Sequence, residues 1–415
     1  MKNLGGFGVT AALVVALAIH EQGTEVKAAG GPPAPANGPY RVLDPIESGN
    51  LLLFPVVRET ARPSVPGESP FITLDEGIKS GEVEVTEAGR VQGLVRPRPI
   101  AQNRNRYPDA PGNSYRGDQV NTLVLVNNSK RPLLLLAGEI VTGGKQDRVI
   151  AKDRIVPVGA DPIDLSVFCI EPGRWTESSP TFGAASKAPA QGFMVQPTVR
   201  ERAMAEKDQQ QVWDSVHGAI STMQMAAAPP ASMHGGSGRG ASSSGASSTT
   251  SYAKVMESSA VSEKVDDAAA PVMKAREQVL AQLRQEHAVG VVVAVRGEIV
   301  WADLFADTGL LSRYWTKLVR SYAAESLAAG NSHAAPSVSD AQHFLDAPSG
   351  GAETSEGEVG VYRYRELKSG GTETFVLESL LPGTGYDVHI SKMKLATEGH
   401  RAPKPYPTYS PQIYR

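Results

Sequence analysis

A single cysteine, Cys169, stands in the 415 residues. That excludes an intramolecular disulfide and a zinc site built on thiolates, so the fold rests on its apolar core. Aromatic residues reach only 6% and are not interleaved with basic ones, so the stacking platforms of single-strand binders are missing. Neither sign of charge is in excess. Lys and Arg number 41 against 44 Asp and Glu, a net charge of −3 that leaves no global field to draw in a polyanion. No nucleic-acid partner is expected. Also lacking is any apolar run near the ~20 residues that span a bilayer. The run at residues 9–19 follows Lys2 and precedes a polar stretch ending Val26-Lys27-Ala28-Ala29. This is the order of a secretory signal, so residues 1–28 are expected to be cleaved. The mature protein is then exported, periplasmic or extracellular, without a membrane span. No cysteine near the cleavage point offers a lipid anchor.

Hydrophobic residues make up 41% and charged residues 20%, beside 41 Gly and 30 Pro, a balance that leaves part of the chain outside a core. Residues 29–39 read as a linker. From 40 to 225 short β-branched and Leu-rich runs alternate with Gly, Pro, Asn and Asp: 51–57, 83–86, 122–126, 133–136, 149–156 and 164–170. Between them, residues 96–118 read as a long polar loop. Leu133 to Leu136 do not alternate and suit a strand covered on both faces. In 164–170, Leu165, Val167 and Cys169 share one face. Thr198 with Glu201 three residues later has the spacing of a capping box, opening a helix that runs on through Ala203, Trp213, Val216 and Ile220. Residues 226–270, rich in Gly, Ser and Ala, are expected to be a disordered insert.

Residues 271–330 read as helix, hairpin and helix within the same domain. The hairpin turns at Arg296-Gly297-Glu298, and the second helix carries Leu311, Tyr314, Trp315, Leu318, Val319 and Tyr322 on one face. A linker (331–357), a short β segment (358–396) and a tail (397–415) complete the chain. The expected class is α+β: a β-rich core, sandwich-like or barrel-like, with several flanking helices and a long disordered insert.

The densest charge cluster runs from Gly138-Glu139 through Gly143-Gly144-Lys145-Gln146-Asp147-Arg148 to Lys152-Asp153-Arg154. Two glycines beside a lysine allow N–H groups to turn inward, and Lys145 and Arg148 can then clamp an anion. The spacing is not that of a Walker loop. The alternative is a Gly-Gly hairpin turn flanked by a ladder of opposite charges. Glu171-Pro172-Gly173-Arg174-Trp175 ends a strand in a turn. Either Arg174 and Trp175 form a binding rim, or Glu171 and Arg174 pair locally. Cys169, on an apolar strand face, suits a small buried hydrophobe better than a nucleophile. No histidine occurs between His20 and His217, so the histidine-held metal of a cupin is not expected on these strands. The acids of the cluster alternate with Lys and Arg that neutralise them, so no metal site is assigned. The sequence names no cofactor and no oligomeric state.

The strings from Arg131 to Arg154, Asp164 to Trp175 and Lys207 to Trp213, with Ala137-Gly138-Glu139 and Gln146-Asp147-Arg148 the most specific, resemble the ARG and rhodanese-phosphatase-superfamily-associated protein domain family. Gly297-Glu298-Ile299-Val300-Trp301-Ala302-Asp303 and the Tyr314-Trp315 helix extend the resemblance over roughly residues 40–330. It implies association with ADP-ribosylglycohydrolase-type and phosphatase-type partners, and so a small anionic ligand, nucleotide- or sugar-phosphate-like. If such a ligand is hydrolysed, Glu139 or Asp147 is the candidate general base, a carboxylate being the only base type in the cluster. Gly143, Gly144, Lys145, Gln146 and Arg148 are the candidate ligand residues, with Arg174 and Trp175 closing over them. The export signal and the Gly/Ser insert are departures from the family. The reading from another class is an envelope interaction or scaffold module, in which the same residues brace strands.

Overall fold

The computed structural model describes residues 39–59, 69–87, 122–174, 176–184, 193–228, 249–274, 281, 283, 285, 287–328 and 333–395. The expected signal, most of the first linker, the 96–118 loop, Trp175, residues 229–248 of the insert and the tail lie outside the described residues.

The fold is α+β with a β-rich core. Strands β1 (Tyr40–Val42), β2 (Ile46–Ser48) and β3 (Leu51–Arg58) open the chain, and every residue of β3 but the last is buried. Next come β4 (Ile72–Thr73), helix α1 (Leu74–Ser80), β5 (Val83–Glu87) and β6 (Thr122–Asn127). Then follow β7 (Leu133–Leu135), β8 (Ile140–Thr142), β9 (Arg148–Ile150), β10 (Arg154–Val156), β11 (Ile163–Cys169) and β12 (Gly183–Ala184). All three leucines of β7 are buried, as their lack of alternation requires. In β11 the odd positions from Ile163 to Cys169 are buried and the even ones partly so, which is period-two patterning.

Helix α2 (Pro197–Glu201) passes into a π-helical turn (Arg202–Glu206), then α3 (Gln209–Ala227). This corrects the single capped helix expected from Thr198. The N-cap of α2 is Gln196 with Pro197 at N1, and the helix breaks at Lys207, a left-handed residue (φ 54°), before Asp208 caps α3. Helices α4 (Tyr252–Glu257) and α5 (Ser259–Lys274) correct the expectation that the whole of 226–270 is disordered. Val255, Val261, Val265, Ala269 and Val272 form a buried stripe at steps of three to six residues, enough apolar surface to order a chain otherwise rich in Ser, Ala and Asp.

Strands β13 (Ala288–Val295) and β14 (Glu298–Phe305) form the expected hairpin, turning at Arg296 and Gly297, both at positive φ. Helix α6 (Thr308–Ser326) packs on β13 and α5. Helix α7 (Val338–Asp346), capped by Ser337, and β15 (Ala352–Glu358) occupy the stretch read as a linker. Strands β16 (Tyr362–Ser369), β17 (Thr372–Ser379) and β18 (Tyr386–Lys394) follow.

The strands form three sheets. A nine-stranded sheet has the order β1-β3-β13-β14-β18-β17-β16-β15, with β2 also on β3. A six-stranded sheet runs β12-β8-β9-β11-β6-β5, and a three-stranded one β10-β7-β4. The C-terminal strands are therefore no separate segment: β18 pairs with β14 from Trp301↔Met393 to Phe305↔His389. The largest apolar cluster joins residues of β3, β7, α3, α5, β13, α6 and β17 into one core.

Candidate functional site

The five residues from Gly143 to Asp147 turn between β8 and β9, which pair through Ile140↔Val149 and Val141↔Arg148. The turn is pressed against its neighbours. Gly144 has φ 49°, and a Cβ there would sit 2.3 Å from the Phe182 ring and 2.5 Å from Glu87 Oε1, so only glycine lets the backbone approach. The loop's N–H groups donate within the protein. Gly143 N–H goes to Asp147 Oδ1 (3.2 Å), Gly144 N–H to the Ser179 carbonyl (3.1 Å), Lys145 N–H to Glu87 Oε1 (3.1 Å) and Asp147 N–H to Glu171 Oε2 (3.3 Å).

Three carboxylates and three cations meet here. Arg148, fully buried, lies 3.6 Å from Glu87 Oε1. Arg174 donates to Asp147 Oδ1 at 3.2 Å, to the Gly144 carbonyl at 2.8 Å, and pairs with Glu171. Lys254 approaches Glu171 at 3.7 Å. Asp147 Oδ2 accepts from Ser251 at 2.8 Å, which ties the loop to the start of α4. Burial raises the Asp147 carboxyl above its ordinary value and the nearby Glu171 adds to the rise, against the donors Ser251, Gly143 and Arg174. Burial likewise raises the Cys169 thiol, against the pull of Arg148. Both atoms of the Gln146 carboxamide are buried with no hydrogen-bond partner among the described residues, and so is Oε2 of Glu87.

Glu139 is not part of this cluster. It sits at the other end of the hairpin, about 13 Å along β8 from Gly143. Its carboxylate accepts from the Leu136 N–H at 2.8 Å and lies 2.6 Å from Lys317 Nζ, which also pairs with Asp75. Burial raises its carboxyl, Lys317 opposes, and Asp75 adds to the rise. The structure thus brings Gly143, Gly144, Lys145, Gln146, Asp147, Arg148 and Arg174 together and sets Glu139 apart; Trp175 lies outside the described residues.

A second buried polar centre joins Asp153 and Asp303, both within motifs of the sequence, to residues that no motif marked. Arg200 of α2 grips Asp303 of β14 with two nitrogens, at 2.8 and 3.1 Å, and stacks 4.4 Å from the Trp301 ring. Asp303 also accepts from Ser391 at 2.9 Å and from Tyr322. His389 of β18 sits between two carboxylates, Nδ1 2.6 Å from Asp153 and Nε2 3.2 Å from Asp303. Asp153 accepts the Ala137 N–H at 2.7 Å. Burial alone would raise Asp303, but Arg200 and His389 outweigh it and hold the carboxyl well below its ordinary value. A further signal in the sequence is an acid at an interior position of an apolar strand, Asp303 between Ala302 and Leu304.

Fold and site together define a β-rich α+β domain held by buried ion pairs that link distant segments. The chain belongs to the ARG and Rhodanese-Phosphatase-superfamily-associated Protein domain family, which matches it over residues 39–393, further than the 40–330 read from motifs. No curated protein and no solved structure matches the chain. Among the described residues no helix is long and apolar enough to cross a membrane.

Proposed function

We propose that this is an exported, non-catalytic interaction module of the cell envelope in which the Gly143–Arg148 loop braces the domain. The observation that carries this reading is the direction of the loop's N–H groups. Those of Gly143, Gly144, Lys145 and Asp147 already donate to Asp147, Ser179, Glu87 and Glu171. An anion bound there would have to displace three carboxylates and a backbone carbonyl. A general base must also reach the proton it takes, and Glu139 and Asp147 are 1% and 4% exposed.

One observation favours a second reading, a nucleotide- or sugar-phosphate-like ligand held by Lys145, Gln146 and Arg148 beside Arg174. It is the buried, unpaired carboxamide of Gln146, a group that costs stability until something satisfies it.

Thermal and urea unfolding of the purified protein separates the two. For a brace, Gln146→Leu is neutral or stabilising, because an unsatisfied amide is replaced by an apolar isostere. Arg148→Ala then costs about 3 kcal/mol or more by stranding buried Glu87, and no ligand shifts the transition. For a ligand site, ADP-ribose, a nucleotide or a sugar phosphate at a hundred times its Kd adds about 2.7 kcal/mol, and Gln146→Leu abolishes the gain. Export is checked by N-terminal sequencing: an envelope-fraction protein starting near residue 29 supports it, and an intact cytoplasmic chain overturns it.

A further inference from the structure

A cleft of about 320 Å³ opens between α2, the β13–β14 turn, the C-terminal end of α6 and the end of β18. It is separate from the Gly143–Arg148 loop. Its volume lies at the lower end of the roughly 300–1,000 Å³ of small-molecule sites, which suits a ligand well below the size of a dinucleotide. The floor is apolar and stiff. Val300, Trp301 and Met393 line it, and Trp301 is backed by the Arg200 guanidinium, itself locked on Asp303.

The rim carries both signs of charge, Glu201, Glu298 and Glu325 beside Arg202, Arg296 and Lys394, and among the described residues neither Glu325 nor Lys394 has an ion pair. Glu325 accepts from Gln196 Nε2 at 2.9 Å, from the Thr198 N–H at 3.1 Å and from the Thr198 hydroxyl. All three donors are neutral, so the carboxylate is held in place while its charge stays uncompensated. Lys394 is exposed and forms no ion pair or side-chain hydrogen bond among the described residues. Arg202, by contrast, pairs with Glu206 at 3.2 Å, and Glu298 lies 3.2 Å from His333. One fixed anion, one unpaired cation and an apolar floor are complementary to a molecule with an ammonium, a carboxylate and an apolar side group. A simple anion would meet Glu325, and a simple cation would meet Lys394.

We propose that this cleft binds a zwitterionic amino-acid- or dipeptide-like molecule with an apolar side chain, its ammonium on Glu325 and its carboxylate on Lys394. Calorimetric titration of the purified full chain tests this, using leucine, phenylalanine, Leu-Leu and Ala-Phe beside their N-acetylated and C-amidated forms. At least one free zwitterion is expected to bind, and blocking either end is expected to weaken it about ten-fold or more, the effect of one charge-assisted hydrogen bond. Lys394→Met should abolish the preference for a free carboxylate while keeping that for a free ammonium; Glu325→Gln should do the reverse. Because Lys394 is exposed, its variant keeps the fold even if Glu325→Gln does not. No binding by any of the four, or binding indifferent to blocked ends and to Lys394→Met, overturns the proposal. The cleft shares no lining residue with the Gly143–Arg148 loop, so failure of this proposal and failure of the reading of that loop are distinguishable.

Discussion

His389 is the residue whose chemistry is set most strongly by its surroundings. Burial works against its charged form, but the carboxylates of Asp153 and Asp303 outweigh it and push its pKa from 6.5 up to about 9. Two carboxylates then face two cations, His389 and Arg200, and the buried centre is neutral. A raised folded-state pKa fixes the sign of the pH dependence. The stabilisation is complete below the ordinary value of 6.5 and is lost as pH rises through about 9. Urea unfolding between pH 6 and 10 should therefore show stability falling across that window. His389→Gln should flatten the fall and cost about 3–5 kcal/mol at pH 6, where it removes one partner of a buried pair. An unchanged slope in the variant would mean that another group titrates.

Among the elements, the hairpin of β8 and β9 shows why Ala137-Gly138-Glu139 is a motif. Ala137 donates to Asp153, and Glu139 holds Lys317 and the Leu136 N–H. Gly138, at φ 93°, passes so close to Arg200 that a Cβ would stand 2.7 Å from its Cγ and Cδ. Arg200 cannot yield, being clamped by Asp303 and Trp301. Gly138→Ala combines a strained backbone with overpacking, so we expect a loss of about 3 kcal/mol in urea unfolding; a loss below about 1 kcal/mol would show that Arg200 can move. The hairpin itself was legible in the sequence from its Gly-Gly turn, and so were β3, β11, β13, β14 and α6, whose apolar periods are clean. The break between α2 and α3 was only half marked: Asp208 with Gln211 three residues on is a local cap for α3, but the left-handed Lys207 before it has its ammonium 2.6 Å from Glu366, 159 residues away. Helices α4 and α5 were hidden by Ser, Ala and Asp diluting their apolar stripe. The charged loop was legible as a cluster, yet its partners were not. Glu87 lies 58 residues from Lys145, and Ser251 lies 104 from Asp147. Sequence proximity suggested an anion clamp or a ladder of paired charges within the loop, whereas the partners come from distant segments.

For the whole molecule the decisive fact is that one sheet is assembled from three distant segments. Strand β3 joins β13, and β14 joins β18. The buried ionic centre repeats the pattern, taking Asp153 and Arg200 from the first part, Asp303 from β14, and His389 and Ser391 from β18. A chain ending at residue 330, the limit suggested by motifs, keeps Asp153 and Asp303 but loses the imidazolium between them. It also bares the edge of β14 along five pairing positions, where unpaired strand edges invite association. Residues 39–330 should therefore lack a cooperative unfolding transition and aggregate on gel filtration, while 39–395 melts as one unit. Cooperative melting of the shorter chain within a few degrees of the longer would make β15 to β18 an appendage. A loss of cooperativity restored by adding residues 352–395 as a separate chain would show instead that sheet pairing and ion pairing across the β14–β18 seam are one event, with the C-terminal strands completing the core begun by β3.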